Sequence, residues 1–171
     1  MPDQHQNSGP GPRVVIDLDH QTLDWYGANG EHQCWPVSTA LNGPGEAEHS
    51  GRTPRGRHYI RALIGQGQPE RTVFVARRPT GETWTPELSA TQPQRDWILS
   101  RIIWLCGLEN GVNRGGDVDT FRRFIYIHGT PDTEPMGEPR SHGCIRMRNR
   151  DVITLFDRLE PGVPVMIQPR P

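Results

Sequence analysis

The sequence contains no lysine: all 19 of its basic residues are arginine. Without a lysine amine the chain cannot form a Schiff base or use Ser–Lys catalysis. Cysteine is scarce as well, confined to Cys34, Cys106 and Cys144. This odd, widely spaced set does not read as a disulfide framework, and no Cys-x-x-Cys pair points to a structural zinc. No stretch reaches the ~20 apolar residues that a membrane-spanning helix needs. The opening MPDQHQNSGPGPR is polar and lacks the apolar segment of a secretory signal, so a soluble, cytoplasmic protein is expected. An excess of one charge is also missing. Twenty acidic residues against 19 basic ones leave a formal net charge of −1. That is too weak a field to gather nucleic acid or an anionic membrane.

Turn formers, by contrast, are abundant: 19 glycines and 17 prolines among 171 residues, of which 33% are hydrophobic. Such frequent turns suit strands better than a helical bundle. The length suits one domain with a real core. Residues 1–12 read as a flexible Gly/Pro-rich tail and 13–171 as a single domain.

Along that domain, Val14–Leu18 and Leu23–Tyr26 form an expected hairpin, followed by a strand near His32–Ser38. Residues 42–56 read as a long surface loop, with strands at His58–Ile64 and Thr72–Ala76 after it. Trp97, Ile98, Ile102, Leu105 and Leu108 recur at helical spacing, with Pro93 before them and Gly111 beyond. This pattern predicts a helix. A short apolar strand, Phe124–Ile127, ends at His128. A second helix is expected over about Arg150–Leu159 with Val152, Leu155, Phe156 and Leu159 inward, then a last strand at Val163–Ile167. The expected fold is mostly β with two helices.

The chemistry concentrates in SHGCIRM, residues 141–147. A thiol attacks a carbonyl as thiolate and so needs a base close by. His142 shares a face with Cys144 if the local chain is extended. His128, at a strand end, can be returned to the thiol by the loop 129–141. Gly143 lets backbone approach a substrate, and its N–H together with that of Cys144 could meet a developing oxyanion. Two other readings stand beside this one. Cys144 could be an inert buried residue, as is expected for Cys34 and Cys106. Alternatively His128, Asp132, His142 and Cys144 could hold a catalytic zinc.

The combination Tyr126-Ile127-His128-Gly129-Thr130, a loop, then Ser141-His142-Gly143-Cys144-Ile145-Arg146-Met147 resembles the L,D-transpeptidase catalytic domain (YkuD) family. Pro36–Thr39, Thr53–Gly56 and the closing Pro161–Val165 are similar to it as well, so the resemblance covers about residues 13–168. It implies a sandwich-like β fold with the nucleophile in a cleft. It also implies cleavage between the third residue of a peptidoglycan stem tetrapeptide, commonly diaminopimelate, and D-alanine through a thioester, with no cofactor and no metal. Carried over, Cys144 is the nucleophile and His128 its base. The Gly129 carbonyl, where other members often have serine, orients the imidazole. Gly143 and Cys144 supply the oxyanion N–H groups, and Ser141, His142 and Arg146 line the site. Arg140 is a further candidate for holding a substrate carboxylate. Water as acceptor makes the protein an L,D-carboxypeptidase of murein recycling, the expectation for a member without an export signal. An amine acceptor makes it a cross-linking transpeptidase. A non-catalytic murein-binding module is the alternative of a different class. Carbapenem-type inhibitors are the implied ligands.

Overall fold

The computed structural model describes residues 11–169, so the expected tail lies outside them except for its last two residues. The strands, in chain order, are β1 (Arg13–Asp17), β2 (Thr22–Tyr26), β3 (His32–Pro36), β4 (Gly56–Ile64), β5 (Thr72–Val75), β6 (Arg78–Thr83), β7 (Ile98–Gly107), β8 (Tyr126–Gly129), β9 (Ile145–Met147) and β10 (Pro164–Gln168). Among the described residues there are two α-helices, α1 (Pro86–Thr91) and α2 (Asn149–Phe156). The strands form one curled sheet in the order β3-β2-β1-β10-β4-β7-β5-β6, with β8 branching from β7 and β9 pairing with β8. The mostly β expectation holds.

The first helix is not where apolar spacing put it. Residues 98–107 form β7, the central strand, flanked by β4 and β5 along one edge and by β8 on the other. A strand covered on both faces is apolar at nearly every position, so helical spacing occurs in it by default. Eight of the ten residues of β7 are buried. Its β-branched Ile98, Ile102 and Ile103 also favour extended backbone. Leu108, assigned to the buried helix face, is in fact exposed. The helix sits earlier, at Pro86–Thr91. There the Thr85 Oγ1 accepts from the Leu88 N–H at 3.1 Å, and proline occupies the first turn.

The second helix forms nearly as expected. Val152, Leu155 and Phe156 of α2, with Leu159 just beyond, are buried against Ile103, Leu105, Ile127 and Ile145 of the sheet. Each fully buried Leu or Ile of this kind contributes about 1.5–3 kcal/mol. Cys106 is buried on β7, whereas Cys34 is exposed on the edge strand β3, which corrects its reading as a buried residue.

Candidate active site

Cys144 and His128 meet because β8 and β9 pair in parallel. The register sets Ile127 beside Ile145, His128 beside Arg146 and Gly129 beside Met147. One residue earlier, Cys144 lies level with Tyr126, whose N–H donates to the Sγ at 3.3 Å. Side chains alternate across a strand. Ile127, Ile145 and Met147 therefore enter the core with no exposure. Tyr126, His128, Cys144 and Arg146 share the other face and line a cleft of about 310 Å³.

His128 is buried, and its Nδ1 lies 2.6 Å from the Gly129 carbonyl oxygen. A carbonyl only accepts, so Nδ1 carries the proton and Nε2 keeps its lone pair. Burial holds the imidazole below its ordinary pKa, outweighing the Gly129 hydrogen bond, which favours the charged form. Neutral imidazole is the resting state. Glycine is required at 129 by packing: a Cβ there would lie 2.4 Å from Asn149 Oδ1 and 2.6 Å from the Leu99 carbonyl oxygen.

The Cys144 thiol is pushed up to about 12 by burial, with Asp96 adding to the rise and the Tyr126 N–H, Arg146 and Arg123 opposing it. Its Sγ donates to the Phe124 carbonyl at 3.3 Å. Among the described residues no hydrogen bond joins thiol to imidazole. The resting pair is thus neutral rather than thiolate and imidazolium, because burial disfavours both ions.

The expected oxyanion donors separate. The Gly143 N–H is already taken by Ser141 Oγ at 3.2 Å, and that hydroxyl in turn donates to the Cys144 carbonyl at 2.6 Å. The Cys144 N–H has no hydrogen-bond partner among the described residues. Gly143 has φ +134, a conformation that favours glycine. Its carbonyl is held by the buried Thr53 hydroxyl at 2.8 Å.

His142 is exposed and stands where the cleft opens into two adjoining grooves. Arg146 is mostly buried, with loose ion pairs at 3.7 Å to Asp96 and Glu134. Arg140 does not reach the thiol's cleft. It pairs with Glu138 at 3.1 Å and borders a neighbouring groove. The residues considered as zinc ligands are not gathered either. Asp132 is bonded to Arg71 and Asn149, and among the described residues no three His, Cys, Asp or Glu side chains are placed to hold a metal.

Sequence reasoning missed four contributors. Asp96 borders the cleft beside Arg146. Arg123 ties the loop 42–56 to the cleft by donating to the carbonyls of Glu46 at 3.1 Å and Arg52 at 2.6 Å. Phe124 (φ 57) offers its carbonyl to the thiol from a strained backbone. Thr53 braces Gly143. None has a local signal, because each acts across a long separation in the chain.

A family model described as the L,D-transpeptidase catalytic domain, YkuD, matches residues 11–167. The probable L,D-transpeptidase YbiS of Escherichia coli (strain K12) is 31% identical over 127 residues, covering 69% of this chain and 40% of that protein. A putative L,D-transpeptidase in the ATP synthase subunits region of Fuscovulum blasticum is 25% identical over 164 residues, 95% of this chain and 72% of that protein. The crystal structure of L,D-transpeptidase 3 from Mycobacterium tuberculosis, in complex with a faropenem-derived adduct, has the same fold. It aligns with a TM-score of 0.56 at 16% identity, covering 94% of this chain and 61% of that one. The chain therefore spans well under two thirds of YbiS, and its fold is that of the L,D-transpeptidase catalytic domain. It belongs to the YkuD family of L,D-transpeptidase catalytic domains.

Proposed function

We propose that this chain is a cysteine acyltransferase that opens the bond between the third residue of a peptidoglycan stem tetrapeptide, such as diaminopimelate, and its terminal D-alanine. The observation that supports this best is the pairing of Cys144 and His128 on one cleft face, with the Gly129 carbonyl holding the proton on His128 Nδ1.

As substrate enters, the thiol proton leaves the Phe124 carbonyl and passes to His128 Nε2 while Sγ attacks the stem carbonyl. The tetrahedral oxyanion is met by the Cys144 N–H. Its collapse breaks the C–N bond, His128 returns the proton to the amine of D-alanine, and a thioester on Cys144 remains. An acceptor then gives its proton to His128 and takes the acyl group. Arg146, whose guanidinium makes no hydrogen bond among the described residues and only loose ion pairs, lines the cleft and binds a substrate carboxylate.

Two acceptors are distinguished by experiment. Water gives L,D-carboxypeptidation, the sequence-based expectation, and goes with soluble murein peptides in the cytoplasm. Transfer to a second stem is favoured by the grooves that meet the cleft at His142, one bordered by Glu48, Arg122 and Arg123 and the other by Arg95, Glu134 and Arg140. Incubation with a disaccharide-tetrapeptide, read by mass spectrometry, decides. Tripeptide alone supports hydrolysis, and dimers support cross-linking. No product, with Cys144→Ala equally silent, would leave a murein-binding module in place of an enzyme. The cleft is also where a β-lactam would acylate Cys144, the kind of ligand seen in the Mycobacterium tuberculosis neighbour.

A further inference from the structure

The β7–β8 ladder breaks at one place. Leu99 pairs with Gly129 and Ile102 with His128, so Ser100 and Arg101 are extra residues opposite the His128–Gly129 peptide. Ser100 adopts φ 70, left-handed backbone for a residue with a Cβ. Bulges beside reactive sites commonly re-aim side chains.

This bulge has a buried partner. Ser100 Oγ accepts from the Arg71 N–H at 2.9 Å and donates to Asn149 Oδ1 at 2.6 Å. Asn149 Nδ2 donates to the Thr130 carbonyl at 2.9 Å and to Asp132 Oδ1 at 3.0 Å. Asp132 Oδ2 accepts from Arg71 Nε at 2.6 Å, which closes the ring. Ser100 and Asn149 are each at most 1% exposed. Through Asn149 the ring reaches the backbone of residues 129–130. Asn149 Oδ1 and the Leu99 carbonyl fill the space a Cβ at 129 would need.

We propose that Asn149, working with the Ser100 bulge, is a positioning residue that holds the Gly129 carbonyl against His128 and so fixes which imidazole nitrogen faces the cleft. Asn149 touches neither thiol nor imidazole; it acts through the backbone of residues 129–130. With the Thr130 carbonyl pinned and Gly129 wedged between Leu99 and Asn149, the Gly129 carbonyl cannot swing away from Nδ1. The Nε2 lone pair is then directed to the cleft before substrate arrives. In many hydrolases a buried carboxylate does this work; here a buried amide and a bulge hydroxyl do it through the main chain. The inference rests on the reading of His128 as base.

The test uses the full chain and two readouts that bracing alone would not move. The tautomer of His128 is read from its ring nitrogen shifts by NMR at neutral pH. The rate of Cys144 alkylation by iodoacetamide is read by mass spectrometry of the Cys144 peptide across pH. The native chain should show the Nδ1–H tautomer alone. Asn149→Ala should populate the other tautomer and slow alkylation near pH 7 about tenfold, because only imidazole with a free Nε2 lone pair can take the thiol proton. Ser100→Ala, which removes one hydroxyl, should move both readouts in the same direction, and it decides the matter if Asn149→Ala does not fold. A folded variant of either kind with the Nδ1–H tautomer unchanged and an unshifted alkylation profile overturns the proposal. His128→Gln separates the two readings. If it leaves alkylation unchanged, His128 is not the base, whereas the tautomer result still reports on Asn149.

Discussion

His128 lies directly opposite Arg146 in the parallel β8–β9 ladder, with both side chains on the cleft face. Arg146 lowers the pKa of His128 and of the Cys144 thiol, while Asp96 raises both. Arg146→Gln should therefore move the low-pH limb of the acylation profile to higher pH, and Asp96→Asn should move it lower. Arg146→Gln should also raise KM for tetrapeptide about tenfold, the equivalent of about 1.4 kcal/mol of lost carboxylate binding. Steady-state kinetics across pH check both signs.

Removing either reacting group should have unequal effects. Cys144→Ala should abolish acylation. His128→Gln should lower it by about 10²–10⁴, the usual worth of a positioned base. In the native chain burial holds His128 below 6.5, so acylation should rise as pH climbs through a midpoint below that value and then stay level. With glutamine at 128 the plateau should disappear, and the rate should keep climbing toward the thiol's own value of about 12. Single-turnover acylation followed by mass spectrometry distinguishes the two profiles.

Selective labelling calls for a substrate-like reagent. Cys34 is exposed and Cys106 buried, so iodoacetamide should mark Cys34 as well as Cys144. A carbapenem, acting through the cleft, should add one mass increment on Cys144 alone. Peptide mapping after acylation gives the answer, and an adduct on Cys34 would contradict it.

Gly129→Ala tests the packing behind the imidazole. The added methyl meets Asn149 Oδ1 and the Leu99 carbonyl at 2.4 and 2.6 Å. Such overpacking costs about 1–3 kcal/mol, and activity should fall with it as the carbonyl leaves His128. Denaturant melts and initial rates report the two losses separately.

His58 sets an acid limit on stability away from the cleft. It is fully buried, between the Gly56 carbonyl and the Thr120 hydroxyl, and burial lowers its pKa to about 4. The folded state thus binds this proton less readily than the unfolded one. The stability His58 contributes is present above pH 6.5 and lost as pH falls toward about 4. The loss reaches at most about 3 kcal/mol, taking 1.36 kcal/mol per unit. Melting temperatures over that range should show it, and a His58→Gln variant should flatten the slope.

The sequence alone determined which side chains are candidates for chemistry and much of the chain's layout. Residue identity near a turn is local information: SHGCIRM supplied the thiol, the Gly143 kink and Arg146, and the apolar run ending at His128 marked a second reactive strand end. The hairpin, α2 and β10 were readable because their faces are half-buried and so alternate in polarity. The tertiary structure decided what depends on neighbours. β7 is a strand because both its faces are covered, which erases alternation and leaves an apolar run that spacing cannot tell from a helix. Register across β8 and β9 put Cys144, His128 and Arg146 on one face, a choice that a slip of one residue would have reversed. Burial, which no residue carries by itself, left thiol and imidazole neutral. Packing of Asn149 and Leu99 against residue 129 is what makes glycine the residue that fits beside His128.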